Sequence, residues 1–251
     1  MYKQIKKLTS KIFPNFSRAI YYRFNIIRYK GNKYFCPVCE NGFNKFLPGP
    51  DKLRLNSKCP GCGSLERQRL LWLYLKNMVQ IDKHNIKLLN IAPDYATQKK
   101  MKKLNNLSYV SIDLNSELAS EKQDITRLNF SDNSFDAILC YHVLEHVADD
   151  KKAMKELFRV LKSEGWAIIQ TPYEKNRKIT FEDFSITSPK EREEVFGQED
   201  HVRIYGLDYF NRLQDTGFIL NVDNYINQLS AEEINKYLLD KEEDICFCIK
   251  P

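Results

Sequence analysis

Apolar residues recur at steps of three or four through the first thirty positions, at Ile5, Leu8, Ile12, Phe16, Ile20, Phe24 and Ile27. This spacing predicts an amphipathic helix, turned or interrupted near Pro14, whose ring removes a backbone donor. Residues 31–63 lose that period and turn rich in Gly, Pro, Asn and Cys, the pattern of a small stapled unit. Helical spacing returns from Ser64 to about Val79 through Leu65, Leu70, Leu71, Leu73 and Leu75.

From Ile86 onward the rhythm alternates. Residues 87–92, 109–114, 137–141 and 166–170 read as buried strands, and 97–104, 150–161 and 207–216 as helices. Ser230 and Glu233 form a capping-box pattern that opens a last helix, and 244–250 reads as a final strand. Buried strands alternating with helices predict an α/β fold built on a mostly parallel sheet. Residues 173–206 are polar and irregular, too long for a plain connection, and are read as a lid or binding insertion. The expected division is therefore a basic amphipathic arm (1–30), a metal-stapled ribbon (31–63) and an α/β domain (64–251) carrying that insertion.

Charge changes the picture only at the start of the chain. Eight Lys or Arg and no acidic residue lie between Lys3 and Lys30, so the arm carries +8 of a net +6 and the remainder is at −2. The body is therefore not a basic nucleic-acid binder, and the arm is the part that attracts an acidic partner. It suits an anionic membrane surface, with Phe13, Phe16 and Phe24 dipping in. A nucleic-acid arm comes second, and packing on the chain's own domain or a second subunit is the plain alternative. No apolar run is long enough to span a bilayer, and Met1-Tyr2-Lys3 opens no secretory signal. The expectation is a cytoplasmic protein, peripheral at the inner face of the membrane if the arm docks there.

Four of the seven cysteines form two Cys-x-x-Cys pairs, Cys36/Cys39 and Cys59/Cys62, separated by 19 residues. Each pair offers two thiolates from one tight turn, and four thiolates make the tetrahedron that zinc prefers. A closed four-thiolate set leaves no open position for water, so the expected role of zinc is structural.

Polar residues cluster where strands end, the place at which parallel sheets bind ligands. After the first strand come Asn90, Ala92, Pro93 and Asp94; after the second come Asp113 and Leu114; then come Asp124 and Ile125, and Cys140-Tyr141-His142 closes the next strand. A carboxylate such as Asp113 can accept both ribose hydroxyls of an adenosine, and Asp124 can accept from an adenine amine. Turn capping or loop solvation accounts equally well for either acid taken singly.

Three spaced blocks, Phe135–Leu139, Val143–Val147 and Glu156–Lys162 followed by Gly165, resemble the type 11 small-molecule methyltransferase family. The resemblance covers roughly residues 86–172. It implies a class I, Rossmann-like sheet of seven strands with an antiparallel last strand, using S-adenosylmethionine. It further implies that the first loop holds the methionine part, Asp113 the ribose, and Asp124 with Ile125 the adenine. The family loop usually carries glycines where this chain has Ala92, Asp94 and Ala96, and Pro93 removes one donor there. The chain is also similar to a bacterial branch with a zinc ribbon, an Ala-Pro-acid loop and a later Asp200–Gly206 block.

Methyl transfer to a hydroxyl asks the protein to position the acceptor and remove a proton. His142 and His201 are the candidate bases, and Tyr173, Arg203 and Tyr205 the candidate acceptor contacts; His146 reads as structural. Arg67 and Arg69 read as solvated helix positions or as facing the cleft. The leading expectation is transfer to a small or glycan-type acceptor, lipid-linked acceptors included. An RNA methyltransferase is the second reading, and a non-catalytic interaction module with an altered loop the third.

Overall fold

The computed structural model describes residues 14–49 and 54–251. Two compact units emerge, and each interleaves distant parts of the chain. Of the described residues, one contains those from 14 to 80, 95–103 and 225–243; the other contains 81–94, 104–224 and 244–251.

The first unit opens with α1 (Pro14–Arg28), followed by an antiparallel pair, β1 (Lys30–Cys36) and β2 (Asn41–Phe43). Helix α2 (Glu66–Asn77) starts two residues later than the apolar spacing indicated. It buries Leu70, Leu71, Trp72, Tyr74 and Leu75. Arg69, expected to be solvated or to face a cleft, is instead fully buried. Its guanidinium donates to the carbonyls of Ser57, Ser64, Tyr237 and Leu238. Burial strips a guanidinium of water, so it persists only where its donors meet acceptors, here four carbonyls from two distant stretches of chain. Helices α3 (Tyr95–Met101) and α7 (Ala231–Tyr237) complete this unit, the second opened by the expected Ser230–Glu233 capping box.

The second unit is one seven-stranded sheet with helices α4 (Asp150–Val160), α5 (Pro189–Phe196) and α6 (Asp208–Asp215). Its strands are β3 (Ile86–Ile91), β4 (Leu107–Asp113), β5 (Glu121–Lys122), β6 (Phe135–Tyr141), β7 (Leu161–Gln170), β10 (Ile219–Asp223) and β11 (Ile245–Ile249). They lie in the order β10-β11-β7-β6-β3-β4-β5. Pairings from β5 across to β7 are parallel, and β11 runs antiparallel to both of its neighbours. This is the Rossmann-like architecture expected, with a reversed last strand. Apolar side chains of the strands pack with Ala153, Met154, Leu157 and Val160 of α4 and with Tyr209 and Leu213 of α6. Asp149 caps α4 by accepting from the N–H of Lys152 at 2.9 Å.

The stretch 173–206 is more ordered than its composition indicated. It holds α5, capped by Ser188 with Pro189 at the first turn. It also holds the two-residue strands β8 (Phe181–Glu182) and β9 (Arg203–Ile204), which pair antiparallel.

Candidate functional site

Strand order reverses between β3 and β6, because the chain runs outward through β4 and β5 and then returns to the other side of β3. Ligands of such sheets bind at the carboxyl ends beside that switch point. Ile91 is in register with Ile112 on β4 and with Cys140 on β6. Ala92, Asp113 and Tyr141 therefore follow at one level along the carboxyl edge. Asp113 pairs in register with Lys122, which sets Asp124 two residues beyond on the same edge.

Two residues on this edge take left-handed backbone angles that side chains disfavour. Ala92 has φ 49° and His142 has φ 57°. Both are anchored by the sheet, since the Ala92 N–H donates to the Ile112 carbonyl at 2.8 Å and the His142 N–H to that of Gln170 at 2.7 Å. Ala92 thus retains the conformation that glycine ordinarily serves, although the side chain has changed. Strained angles of this kind are found most often where function requires them.

The two acids are held by their own turns. Oδ1 of Asp113 accepts from the N–H groups of Asn115 and Ser116, and Oδ1 of Asp124 accepts from the N–H and hydroxyl of Thr126. These bonds fix where each carboxylate points. Leu114 is exposed beside Asp113, whereas Ile125 is buried in the core. Asn90 is buried and donates to the Tyr109 hydroxyl at 2.9 Å. Pro93 is buried and Asp94 half-buried. The Cys140 side chain lies wholly within the core. Acceptors on Asp113 and Asp124, beside an apolar Ile125, fit the hydroxyls, amine and ring of an adenosine.

His142 is the residue with chemistry on this edge. Its Nδ1 lies 3.3 Å from Oε1 of Glu145, one turn on, in the 3-10 segment Leu144–His146. Glu145 is buried, and its Oε2 accepts from the Thr171 hydroxyl at 2.8 Å. Burial alone would raise its pKa, but the His142 contact outweighs it, and the carboxyl titrates below the usual range. Glu145 was not anticipated as a site residue; the His-x-x-Glu spacing carried the signal. His201, also buried, packs edge-on against His146 with ring centroids 4.7 Å apart. Desolvation lowers the His201 pKa, so its ring is neutral at pH 7.

Arg203 and Tyr205, expected to meet the acceptor, are fully buried. Arg203 donates to the carbonyls of Leu144, Val147 and Ala148 and to Glu182. The neighbouring Val202 N–H donates to the Glu145 carbonyl at 3.0 Å. Tyr205 donates to Asp150 at 2.6 Å, and Arg212 approaches the same oxygen at 2.8 Å. Through these bonds Arg203 and Val202 brace the turn that bears Glu145 and His146. Tyr173 is half-buried and donates to Asp244 at 2.5 Å.

In the other unit, the four cysteines converge. Cys36 and Cys62 sulfurs are 3.7 Å apart, as are those of Cys39 and Cys59. Zinc–sulfur bonds of about 2.3 Å place tetrahedral sulfurs about 3.8 Å apart, so the spacing suits that ion. The Gly61 N–H reaches the Cys59 sulfur at 3.3 Å, and the Ser64 hydroxyl lies 3.2 Å from the Cys62 sulfur. Burial pushes the pKa of the Arg69 guanidinium down, against the opposing pull of Cys36 and Glu66.

Residues 59–169 match the type 11 family model described as a methyltransferase domain. The strand order and the reversed last strand are those of a Rossmann-like fold shared with the solved structures that follow. An S-adenosylmethionine-dependent methyltransferase from Mesorhizobium loti aligns with a TM-score of 0.50 at 15% identity, over 71% of this chain and 97% of that one. The [4+2]-cyclase SpnF aligns with the same score and identity, over 73% and 81%. The fold alone therefore does not fix the reaction. An uncharacterized protein of Methanocaldococcus jannaschii is 40% identical over 65 residues, a stretch spanning 25% of this chain and 28% of that relative.

Proposed function

We propose that this protein transfers a methyl group from S-adenosylmethionine to a hydroxyl on a small or glycan-type acceptor. The observation that carries the reading is the carboxyl edge, where Ala92 keeps a glycine-type angle, Asp113 is oriented by its turn, and His142 abuts Glu145. The loop Asn90–Asp94 would hold the methionine part, Asp113 the ribose, and Asp124 with Ile125 the adenine. When bound, the cofactor supplies a methyl group on a sulfonium sulfur, which departs as a neutral thioether. His142 accepts the proton of the acceptor hydroxyl, and the Glu145 carboxylate fixes the imidazole and stabilises the imidazolium that results. Tyr173 and the stretch that follows supply acceptor contacts. Phe181 and Phe184 are exposed there, offering rings of the kind that pack against sugar faces. Zinc on Cys36, Cys39, Cys59 and Cys62 is structural, holding together a segment with little core of its own.

Calorimetric titration of the zinc-loaded chain with S-adenosylhomocysteine tests this reading. Micromolar binding that Asp113→Ala abolishes is expected. No binding by well-folded protein would sink it.

A further inference from the structure

Helix α1 has two unlike sides. On one, Asn25 is buried, Ile26 is half-buried, and the Tyr22 ring stacks on Tyr95 at 5.6 Å, so this side belongs to the packed interior of its unit. On the other, Ile20, Phe24 and Ile27 stand 55%, 59% and 74% exposed. These positions are four and three apart, so at 3.6 residues per turn they form one ridge. Arg23 and Arg28, both exposed, fall on opposite sides of that ridge, about 60–80° from Ile20 around the helix axis. No acidic residue occurs before Glu40.

From this arrangement we infer that the outer face of α1 docks in the plane of an anionic lipid surface. Bulky apolar side chains at the centre of a face, flanked by cations, match the boundary between acyl chains and acidic headgroups. A second copy of the same face would bring Arg23 and Arg28 up against like charges, with no acid on the helix to pair them. Nucleic acid would call for cations or several stacking rings at the centre, where Ile20 and Ile27 offer neither and Phe24 supplies a single ring. The helix has 15 residues, about 22 Å, less than the thickness of a bilayer core. Among the described residues no helix is long and apolar enough to cross a membrane, so the contact is in-plane. This inference does not depend on methyl transfer, although a lipid-linked acceptor would lie on the same surface.

Co-sedimentation of the full zinc-loaded chain with vesicles tests it. Vesicles containing phosphatidylglycerol are compared with phosphatidylcholine alone, at low and high salt, for wild type and for Ile20→Ser/Phe24→Ser/Ile27→Ser. Binding is expected to require the anionic lipid, weaken with salt and fall about tenfold or more in the triple variant. The variant should keep the wild-type melting temperature and cofactor affinity, because the three side chains are exposed. Absent binding, equal binding to the two lipids, or a triple variant that binds like wild type would each overturn the proposal. So would light scattering showing a wild-type dimer that the variant dissociates, or tighter salt-sensitive binding to single-stranded RNA than to the vesicles.

Discussion

His142 and Glu145 face each other across one turn at the carboxyl edge of the sheet, with Nδ1 and Oε1 3.3 Å apart. A buried carboxylate beside an imidazole orients the ring and favours its protonated form. His142→Gln should therefore lower kcat by about two to four orders of magnitude, the usual worth of a general base. Glu145→Gln acts through the histidine and should lower kcat by less than His142→Gln does, since it loosens the ring without removing it. Affinity for S-adenosylhomocysteine should survive both changes, and a loss of binding in either variant would make the pair part of the cofactor site.

Ala92 offers a test of the altered loop. A left-handed angle costs a non-glycine residue on the order of 1 kcal/mol or more. Ala92→Gly relieves that strain, although it loosens the unfolded chain by a comparable amount. The expected result is a melting temperature equal to or slightly above wild type, with cofactor affinity retained. Ala92→Val should lower both, because a β-branched side chain tolerates φ 49° poorly. Equal stability of the two variants would show that the loop relaxes away from this angle.

The centre of the sheet was legible because β3 and β6 are buried along most of their length. The apolar runs predicted at 87–92, 109–114 and 137–141 fall within two residues of β3, β4 and β6 at either end. Strand alternation, applied further, would have placed Cys140 in the core with Ile138 two residues earlier. Arg69 was misread, and the burial of Arg203 and Tyr205 went unforeseen, for a shared reason. A polar side chain that satisfies backbone carbonyls or a buried acid has the same letter as one that awaits a ligand, and only the tertiary fold separates them. Glu145 went unread as a site residue because its role depends on a turn that brings it back to His142. Of the predicted arm, residues 1–13 lie outside the described residues.

Arg203 gives that distinction an experimental form. Removing one partner from a buried, fully bonded charge costs about 3–5 kcal/mol. Arg203→Met should lower unfolding free energy on that scale, read by urea denaturation. Arg203→Lys should rescue little, since one ammonium cannot span the carbonyls of Leu144, Val147 and Ala148. A raised KM for acceptor with unchanged stability would instead put Arg203 in contact with the acceptor.

His201 links stability to pH. Burial lowers its folded pKa beneath the ordinary value of 6.5, so the unfolded chain binds the proton more readily. The folded state is therefore favoured fully above pH 6.5 and loses this contribution as pH falls from there toward the folded pKa. Melting temperature should decline between pH 7.5 and 5.5, and His201→Gln should flatten that slope. Glu145 acts in the same direction at lower pH, since its folded pKa is depressed and its contribution fades as the carboxylate protonates. A slope unchanged in His201→Gln would assign the decline to other groups.

The four-cysteine cluster should hold one zinc ion per chain, and the buried Arg69 should tune how tightly. Four thiolates around Zn²⁺ leave a net charge of about −2 that burial makes costly. The buried Arg69 guanidinium donates to the Ser57 and Ser64 carbonyls, and the Ser64 hydroxyl touches the Cys62 sulfur, so Arg69 braces the ribbon beside its ligands. Cobalt substitution should give the intense visible bands of tetrahedral thiolate coordination, and Cys36→Ser should weaken them. Arg69→Met should keep the spectrum yet lose about 10–100-fold in affinity, the usual effect of removing a partner just outside the ligands. Competition with a chromophoric chelator reads that loss directly. Folded, metal-free protein with four freely titrating thiols and an unchanged melting temperature would show that the cluster does not depend on zinc.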